Sequence, residues 1–124
     1  MRCLGIRGAI NVESNTEPAV LAAARQLLQE MAAQNQLEPS DLSAAFFTVT
    51  QDLNAAYPAR AAREMGWDLV PLMCMQEMNV PGSLPLCLRV LLLWNTEKTQ
   101  DQVHHVYLGS ARALRPDLIK ENSR

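Results

Sequence analysis

The sequence predicts a single α/β or α+β domain in which a β-sheet packs against two helices. Its 124 residues match the usual size of one domain, and no repeat or linker divides them. Hydrophobic residues make up 48% of the chain and charged residues 19%, as in folded globular proteins. Two stretches carry apolar residues at helical spacing, and the runs between them are rich in the residues that favour strands.

The first predicted strand spans residues 2–12. Gly5 and Gly8 flank the segment that contains Arg7, and glycines in a strand often mark a close approach by another backbone or by a ligand. Arg7 is therefore expected in an uncrowded position. Cap-forming residues and a proline follow, and apolar residues then recur at helical spacing. We expect an amphipathic helix that ends near Asn35.

The middle of the chain predicts a strand, a short helix and another strand. Residues 42–50 are rich in phenylalanine, threonine and valine, which favour the second strand. A proline and a glycine bound a short helix over residues 58–66. Arg60 and Arg63 share one side of this helix, where such a pair most often faces solvent. Residues 68–75 form the third predicted strand.

The last third of the chain contains a turn at residues 81–83 and a fourth predicted strand over residues 86–94. Residues 100–114 are ambiguous, because they tolerate a helix while residues 105–108 also suit a short strand. Pro116 ends the element that precedes it, and a polar tail follows.

Composition argues against several classes of protein. The longest apolar run, residues 90–94, is far shorter than the roughly 20 residues that cross a bilayer, and the N-terminus lacks a signal core. A net charge of -2 argues against a nucleic-acid partner. Cys3, Cys74 and Cys87 show no CxxC spacing, so we expect neither a disulfide framework nor a zinc site. The sequence therefore predicts a reduced, cytoplasmic protein with no membrane partner.

Arg89 is the sharpest anomaly in the pattern. Strand alternation places it on one face with Cys87, Leu91 and Leu93, while the other face is wholly apolar. An isolated buried ion is costly, so Arg89 needs a partner or a polar cavity. It either reaches water from an edge strand, joins a structural ion pair, or faces an anion in an apolar pocket. The pattern alone leaves these alternatives open.

The remaining candidate groups are less specific. Glu77 lies among methionines and is either a solvated loop residue or a carboxylate that binds an arginine or a ligand hydroxyl. Cys74 has no base near it in sequence and is interpreted as a packing residue. His104 and His105 are adjacent rather than four residues apart, which argues against a helical metal site. Hydrolase and dinucleotide-binding motifs are absent from the sequence.

Six segments carry a family resemblance when they are taken together. They are GIRGA (5–9), YPARAARE (57–64), VPLMCMQEM (70–78), LRV (88–90), HVYL (105–108) and LRPDL (114–118). In this order, and over nearly the whole chain, they resemble the monofunctional trimeric chorismate mutases. This is the barrel-like type, whose fold is unrelated to that of the all-helical chorismate mutases.

The resemblance implies an α+β fold with a mixed β-sheet and two main helices on one face. It implies a homotrimeric pseudo-α/β-barrel with an active site at each subunit interface. The implied reaction converts chorismate to prephenate in phenylalanine and tyrosine biosynthesis, without a cofactor or a metal. Residues 1–118 are then expected to form the domain, and residues 119–124 a flexible C-terminal tail.

Carried over residue by residue, the resemblance implies three catalytic residues. Arg89 would lie beside the breaking ether oxygen of chorismate, and Glu77 would accept a hydrogen bond from the ring hydroxyl. Arg7 would hold the enolpyruvyl carboxylate together with Tyr107. Cys74 would lie beside the ring as a substrate-binding residue.

The same resemblance implies two further groups of substrate-binding residues. They are Tyr57, Arg60 and Arg63 from the neighbouring subunit, and Leu114 and Arg115, which close over the pocket from the tail. Three residues at the rim depart from the family pattern. Tyr57 stands where phenylalanine is usual, Arg60 where lysine is frequent, and Met73 where threonine is frequent.

Two other functions are compatible with the same residues. One is a non-catalytic trimeric module that binds a small carboxylate in the arginine pocket. The other is a different cofactor-free isomerase or lyase that acts on another cyclic enol ether. The residues alone do not separate these functions, because catalysis depends on positioning to about 0.5 Å. An assay of chorismate consumption does.

Overall fold

A computed structural model describes residues 1–114 and shows a mixed sheet with two α-helices packed against it. The elements, in chain order, are β1 (Arg2–Asn11), α1 (Glu17–Asn35), β2 (Leu42–Val49), α2 (Ala59–Glu64), β3 (Leu72–Gln76), β4 (Cys87–Thr96) and β5 (Val106–Leu108). Short 3-10 turns connect them at Pro39–Asp41, Gln100–Gln102 and Gly109–Ala113. No helix in this part of the chain is both long and apolar enough to cross a membrane.

The five strands lie in the order β3-β2-β4-β1-β5. The central strand β4 runs antiparallel to both β1 and β2, whereas β1 pairs with β5, and β2 with β3, in parallel. Among the described strands only β2 and β3 are neighbours both in sequence and in the sheet, and this parallel pair is joined by a crossover that contains α2. The predicted α+β class with a mixed sheet is confirmed.

Helix α1 begins and ends where its sequence predicts. The Thr16 side chain accepts a hydrogen bond from the Ala19 backbone, and Gln36 adopts the left-handed conformation that ends the helix. Its apolar stripe includes Leu27 and Leu28, which are fully buried, and burying each leucine stabilises the fold by about 1.5–3 kcal/mol. A Cβ atom at Gly8 would clash with the sulfur of Met31, so a larger residue there would force the Met31 side chain to shift within the core.

The two faces of the sheet differ in what covers them. Side chains of one face, such as Ile6, Phe47 and Leu88, are completely buried in the main core with α1 and α2. Residues of the opposite face are partly open, and Leu91 is 38% exposed there. As predicted, both helices pack on one face of the sheet. The opposite face is therefore free to form a site. We call it the open face.

Strand β3 is shorter than predicted and begins at Leu72 rather than at residue 68. Pro71 has no N–H for a strand ladder, and its carbonyl accepts the first hydrogen bond, from Ala45. Strand β4 begins at Cys87, one residue later than predicted. Leu86 adopts a φ of 47°, which is incompatible with a strand.

The ambiguous region after residue 100 resolves into the short strand β5 between two 3-10 turns. Asn35 is buried on α1, donates to the His104 carbonyl and accepts from the His104 N–H, which fixes the approach to β5. The Asn11 side chain accepts a hydrogen bond from the Ser110 N–H. Gly109, the residue before Ser110, has a φ of 61°. The predicted tail and Arg115 lie outside the described residues.

Candidate active site

One row of residues crosses all five strands on the open face. The register pairs Met75 with Thr48, Thr48 with Arg89, Arg89 with Ala9, and Ala9 with Tyr107. Residues paired across strands project from the same face of a sheet. Arg89 is therefore on the central strand, not on an edge. The small side chain of Ala9 leaves space between the side chains of Arg89 and Tyr107.

Arg7 belongs to the next row on the same face. It pairs with Leu91, which in turn pairs with Phe46 on β2. Arg7 is two residues from Ala9, the partner of Arg89, so the two arginines are diagonal neighbours roughly 7–8 Å apart at the backbone. Two residues that are distant in sequence thus bring their cations together on neighbouring strands.

These rows border a cleft of about 530 Å³, which we call the first cleft. Its polar lining residues are Arg7, Thr48, Glu77, Arg89 and Tyr107. Its apolar lining residues include Phe46, Met75, Leu91 and Leu114. A cleft of this size with few polar groups suits a small ligand that is held in one orientation.

Glu77 lies at the end of β3, where its N–H donates to the Val49 carbonyl at 2.8 Å. Its Oε2 is 3.6 Å from the Nε of Arg89, and both side chains are about a third exposed or less, at 26% and 32%. Glu77 is therefore a carboxylate that contacts an arginine rather than a solvated loop residue. The same Oε2 accepts a hydrogen bond from the Thr48 hydroxyl at 2.6 Å.

The charge of Arg89 is only partly compensated. Its Nε is buried and makes no hydrogen bond within residues 1–114, since the Glu77 oxygen is too distant for one. Burial raises the pKa of the Cys87 thiol two residues before Arg89, and the positive charge of Arg89 and a hydrogen bond from its side chain partly oppose that rise. Arg89 therefore has a donor available to a ligand in the first cleft.

Arg7 is held by its backbone, while its charge stays uncompensated. Its N–H donates to the Nδ1 of His105 at 2.9 Å, which ties β1 to the segment before β5. No carboxylate of the described chain lies within ion-pair distance of the Arg7 side chain. Among residues 1–114, the lining of the first cleft thus contains two guanidinium groups and one carboxylate.

A second cleft, also of about 530 Å³, lies beside β3 and α2. The expected site residues that line it are Tyr57, Arg60, Arg63 and Cys74. Met75 borders both clefts. Cys74 and Met75 are consecutive in β3, so Cys74 points toward the helices and lies with the α2 residues rather than with Arg89.

The two arginines of the second cleft have different surroundings. Arg60 lies 3.3 Å from Glu17 and 3.1 Å from Glu64. Arg63 has no carboxylate partner among residues 1–114. Burial raises the pKa of the Cys74 thiol, although a backbone hydrogen bond from Ala59 and the charge of Arg63 oppose the rise. Cys74 therefore remains a thiol at neutral pH and packs as predicted.

Some expected site residues lie elsewhere, and others were not predicted. Met73 is 55% exposed on the edge strand β3 and lines neither cleft. Thr48, Phe46 and Leu91 line the first cleft although the sequence analysis did not select them. Alternation along β2 groups Thr48 with Phe46, but only the strand register shows that they face Arg89.

The described residues form no group of three His, Cys, Asp or Glu side chains that could hold a metal ion. Two arginines and one carboxylate surround an apolar floor on a rigid sheet. The fold and the first cleft therefore define an α+β protein with a cleft whose shape and charge suit a small organic anion.

Comparisons with known proteins identify the family. The family model described as chorismate mutase type I matches residues 3–118. The chain is 53% identical over 115 residues to chorismate mutase AroH of Thermus thermophilus, covering 92% of this chain and 94% of the relative. It is 45% identical over 119 residues to chorismate mutase AroH of Bacillus subtilis, covering 95% and 94%.

A solved structure of a chorismate mutase from Clostridium thermocellum has the same fold. It superposes with a TM-score of 0.87 at 50% identity, covering 88% of this chain and 97% of that one. The chain belongs to the chorismate mutase type I family. The resemblance on which the expected activity rests is confirmed.

Proposed function

We propose that the first cleft carries out the chorismate mutase reaction, the conversion of chorismate to prephenate. One observation carries the assignment of the site. Arg89 lies on the central strand, faces the first cleft, and has a buried Nε with no hydrogen bond within the described chain. A cation in this state is a preorganised donor for negative charge that develops in a bound ligand.

The reaction is an intramolecular Claisen rearrangement. One C–O bond breaks as one C–C bond forms, and negative charge grows on the ether oxygen. The rearrangement needs no nucleophile and no proton transfer, so catalysis comes from holding a reactive conformer and stabilising this charge. We assign charge stabilisation to Arg89, and to Glu77 a hydrogen bond from the ring hydroxyl that fixes the ring.

Arg7 and Tyr107 are proposed to bind the enolpyruvyl carboxylate. The Arg7 guanidinium has no carboxylate partner within residues 1–114, and Tyr107 lies at the β5 end of the row that contains Arg89. Guanidinium groups bind carboxylates through two parallel hydrogen bonds. Chorismate is a dianion and the chain has a net charge of -2, so these local cations must attract the substrate.

We further propose that the working enzyme is a homotrimer in which the second cleft of one subunit completes the first cleft of its neighbour. The open face leaves apolar side chains exposed, with Met73 at 55% and Met75 at 40%, and Tyr57, which lines the second cleft, is 73% exposed. Exposed apolar patches of this kind mark interaction surfaces. Tyr57, Arg63 and Cys74 would then reach the substrate from the neighbouring subunit.

Arg60 has a lesser role in this proposal, because Glu17 and Glu64 already compensate its charge. Leu114 lines the first cleft, and we propose that Leu114 and Arg115 are both substrate-binding residues, as the resemblance implies. We assign residues 1–118 to the catalytic domain, a range supported by the family match over residues 3–118. A cytoplasmic location is proposed on the support of three unpaired cysteines.

The activity is tested with the purified full-length chain, produced in a host that lacks its own chorismate mutase. Loss of chorismate absorbance, with prephenate identified by NMR as the product, is the expected result. The Arg89→Ala protein, purified in parallel, controls for contaminating enzyme. Chorismate binding without turnover would support the carboxylate-binding module instead. Turnover to another product would support a different isomerase or lyase.

A further inference from the structure

Thr48 is a residue of the first cleft to which the proposed reaction assigns no part. It lies between Met75 and Arg89 in the row across the open face and is half-buried. Its hydroxyl donates to Oε2 of Glu77 at 2.6 Å. That distance is typical of a strong hydrogen bond from a hydroxyl to a carboxylate.

The same carboxylate oxygen faces Arg89. Oε2 lies 3.6 Å from Nε, whereas a charge-assisted hydrogen bond between these groups would be about 2.7–2.9 Å long. The two atoms are therefore less than about 1 Å from a closed ion pair. Because Nε is buried without a hydrogen bond within residues 1–114, closing the pair would satisfy it.

A closed pair would oppose catalysis. Arg89 would donate to Glu77 rather than to the ether oxygen, and its charge would be compensated before the transition state forms. Glu77 would also lose the freedom to accept the ring hydroxyl. A group that keeps the carboxylate apart from the guanidinium thus preserves both proposed functions.

We propose that Thr48 is a positioning residue that holds Oε2 of Glu77 away from Arg89. The inference rests on the proposed roles of Glu77 and Arg89. Oε1 accepts no hydrogen bond from the described chain and remains available for the substrate hydroxyl. The Thr48 bond thereby sets which oxygen of Glu77 meets the substrate.

Threonine suits this position for two physical reasons. Its β-branched side chain has few χ1 rotamers and fits a strand, so the hydroxyl direction is well defined. Valine has nearly the same shape but cannot donate a hydrogen bond. Thr48→Val therefore removes the bond while keeping the volume and the strand preference.

The kinetic test compares Thr48→Val with Thr48→Ser in the full-length enzyme. Loss of a hydrogen bond to a charged group predicts about a 10- to 100-fold lower kcat in the valine variant, with a smaller change in KM. The serine variant, which keeps the hydroxyl, should remain within about threefold of the wild type. Ser43→Ala removes a hydroxyl from the same strand outside the cleft and should leave kcat unchanged.

A double-mutant cycle separates positioning from a structural role. The neutral amide in Glu77→Gln cannot form an ion pair with Arg89, so Thr48→Val in that background should reduce kcat less than about twofold further. Independent losses that multiply would overturn the proposal. Thermal melting of Thr48→Val should match the wild type. If the valine variant does not fold, the comparison of Thr48→Ala with Thr48→Ser decides the same question.

A crystal structure of Thr48→Val provides the direct measurement. The distance from Glu77 Oε2 to Arg89 Nε should shorten from 3.6 Å to about 2.7–2.9 Å. An unchanged distance, or a wild-type kcat in Thr48→Val, overturns the role of Thr48 while leaving the enzyme assignment intact. An inactive wild-type chain would overturn the proposed function itself.

Discussion

The two clefts contain similar residue types but compensate their charges differently. In the first cleft, Arg7 and Arg89 project from strands whose register is fixed by neighbours. In the second, Arg60 and Arg63 project from the six-residue helix α2, and Arg60 is bound by two glutamates. An arginine-rich segment therefore does not by itself define a binding site. What matters is which cations keep a donor that no carboxylate has satisfied, as Arg89 does through its Nε, and which backbone element holds them.

Substitution of Arg89, the cation on the central strand of the first cleft, is expected to have the largest effect on turnover. Removing a preorganised donor from a site of this kind costs about 3–4 kcal/mol, so Arg89→Ala should lower kcat at least 100-fold with a smaller change in KM. Arg89→Lys should also be severely impaired, because an ammonium on a flexible stem does not reproduce the guanidinium. Steady-state kinetics measures both, and near-normal turnover by the lysine variant would contradict the role.

The next test joins the two clefts. Arg89→Ala should disable each first cleft and Arg63→Glu each second cleft, so both homotrimers should be poor at low chorismate. When the two variants are unfolded together and refolded, random assembly gives about a quarter of interfaces both intact contributions. Activity should then exceed that of either parent, and mixing folded trimers should give no gain before subunits exchange. A refolded mixture that averages its parents would refute the shared site.

A smaller effect separates the two arginines of the second cleft. Arg63→Ala removes a cation without a carboxylate partner in the described chain and should raise KM about tenfold, as expected for a charge-assisted hydrogen bond. Arg60→Ala should change KM less than about threefold, because exposed ion pairs such as those with Glu17 and Glu64 contribute about 0–1 kcal/mol. Equal KM values in the two variants would contradict the inference that the ion pairs of Arg60 reduce its contribution to substrate binding.

The smallest expected effect concerns stability and lies at Asp52, beyond both clefts. Asp52 accepts hydrogen bonds from the N–H of Leu86 at 3.0 and 3.2 Å. The hydroxyl of Thr50 and this N–H lower the pKa of Asp52, against an opposing effect of burial. Since the folded-state pKa is lowered, the stabilisation is present above the unfolded pKa and is lost as pH falls through the folded pKa.

Asp52→Asn should therefore melt at a lower temperature than the wild type at pH 7. The difference should shrink as the pH falls below the ordinary aspartate value of about 3.9. Thermal melts at several pH values measure it, and Asp68→Asn, at an exposed aspartate that follows α2, serves as a matched control. A pH-independent difference would show that charge on Asp52 does not hold the start of β4.

Local sequence determined the elements whose signals lie within a few residues. The cap at Thr16 and the apolar spacing after it determined α1, and alternation in the fourth strand determined that Arg89 shares a face with Leu91. Each segment that carried the family resemblance is likewise a short contiguous stretch, although together the segments span nearly the whole chain. The predicted start of β3 at residue 68 was nevertheless wrong, because Pro71 interrupts a pattern that otherwise continues as a strand.

Only the tertiary structure decided which side chains meet. Thr48 and Glu77 are 29 residues apart, and their hydrogen bond exists because β2 and β3 pair in one register. The compensation of Arg60 by Glu17 depends on the packing of α2 beside α1. Strand register and helix packing result from many weak contacts across the whole core, and no local pattern contains them. The sequence therefore determined the family and the cations, while the fold decided which cations remain available to the substrate.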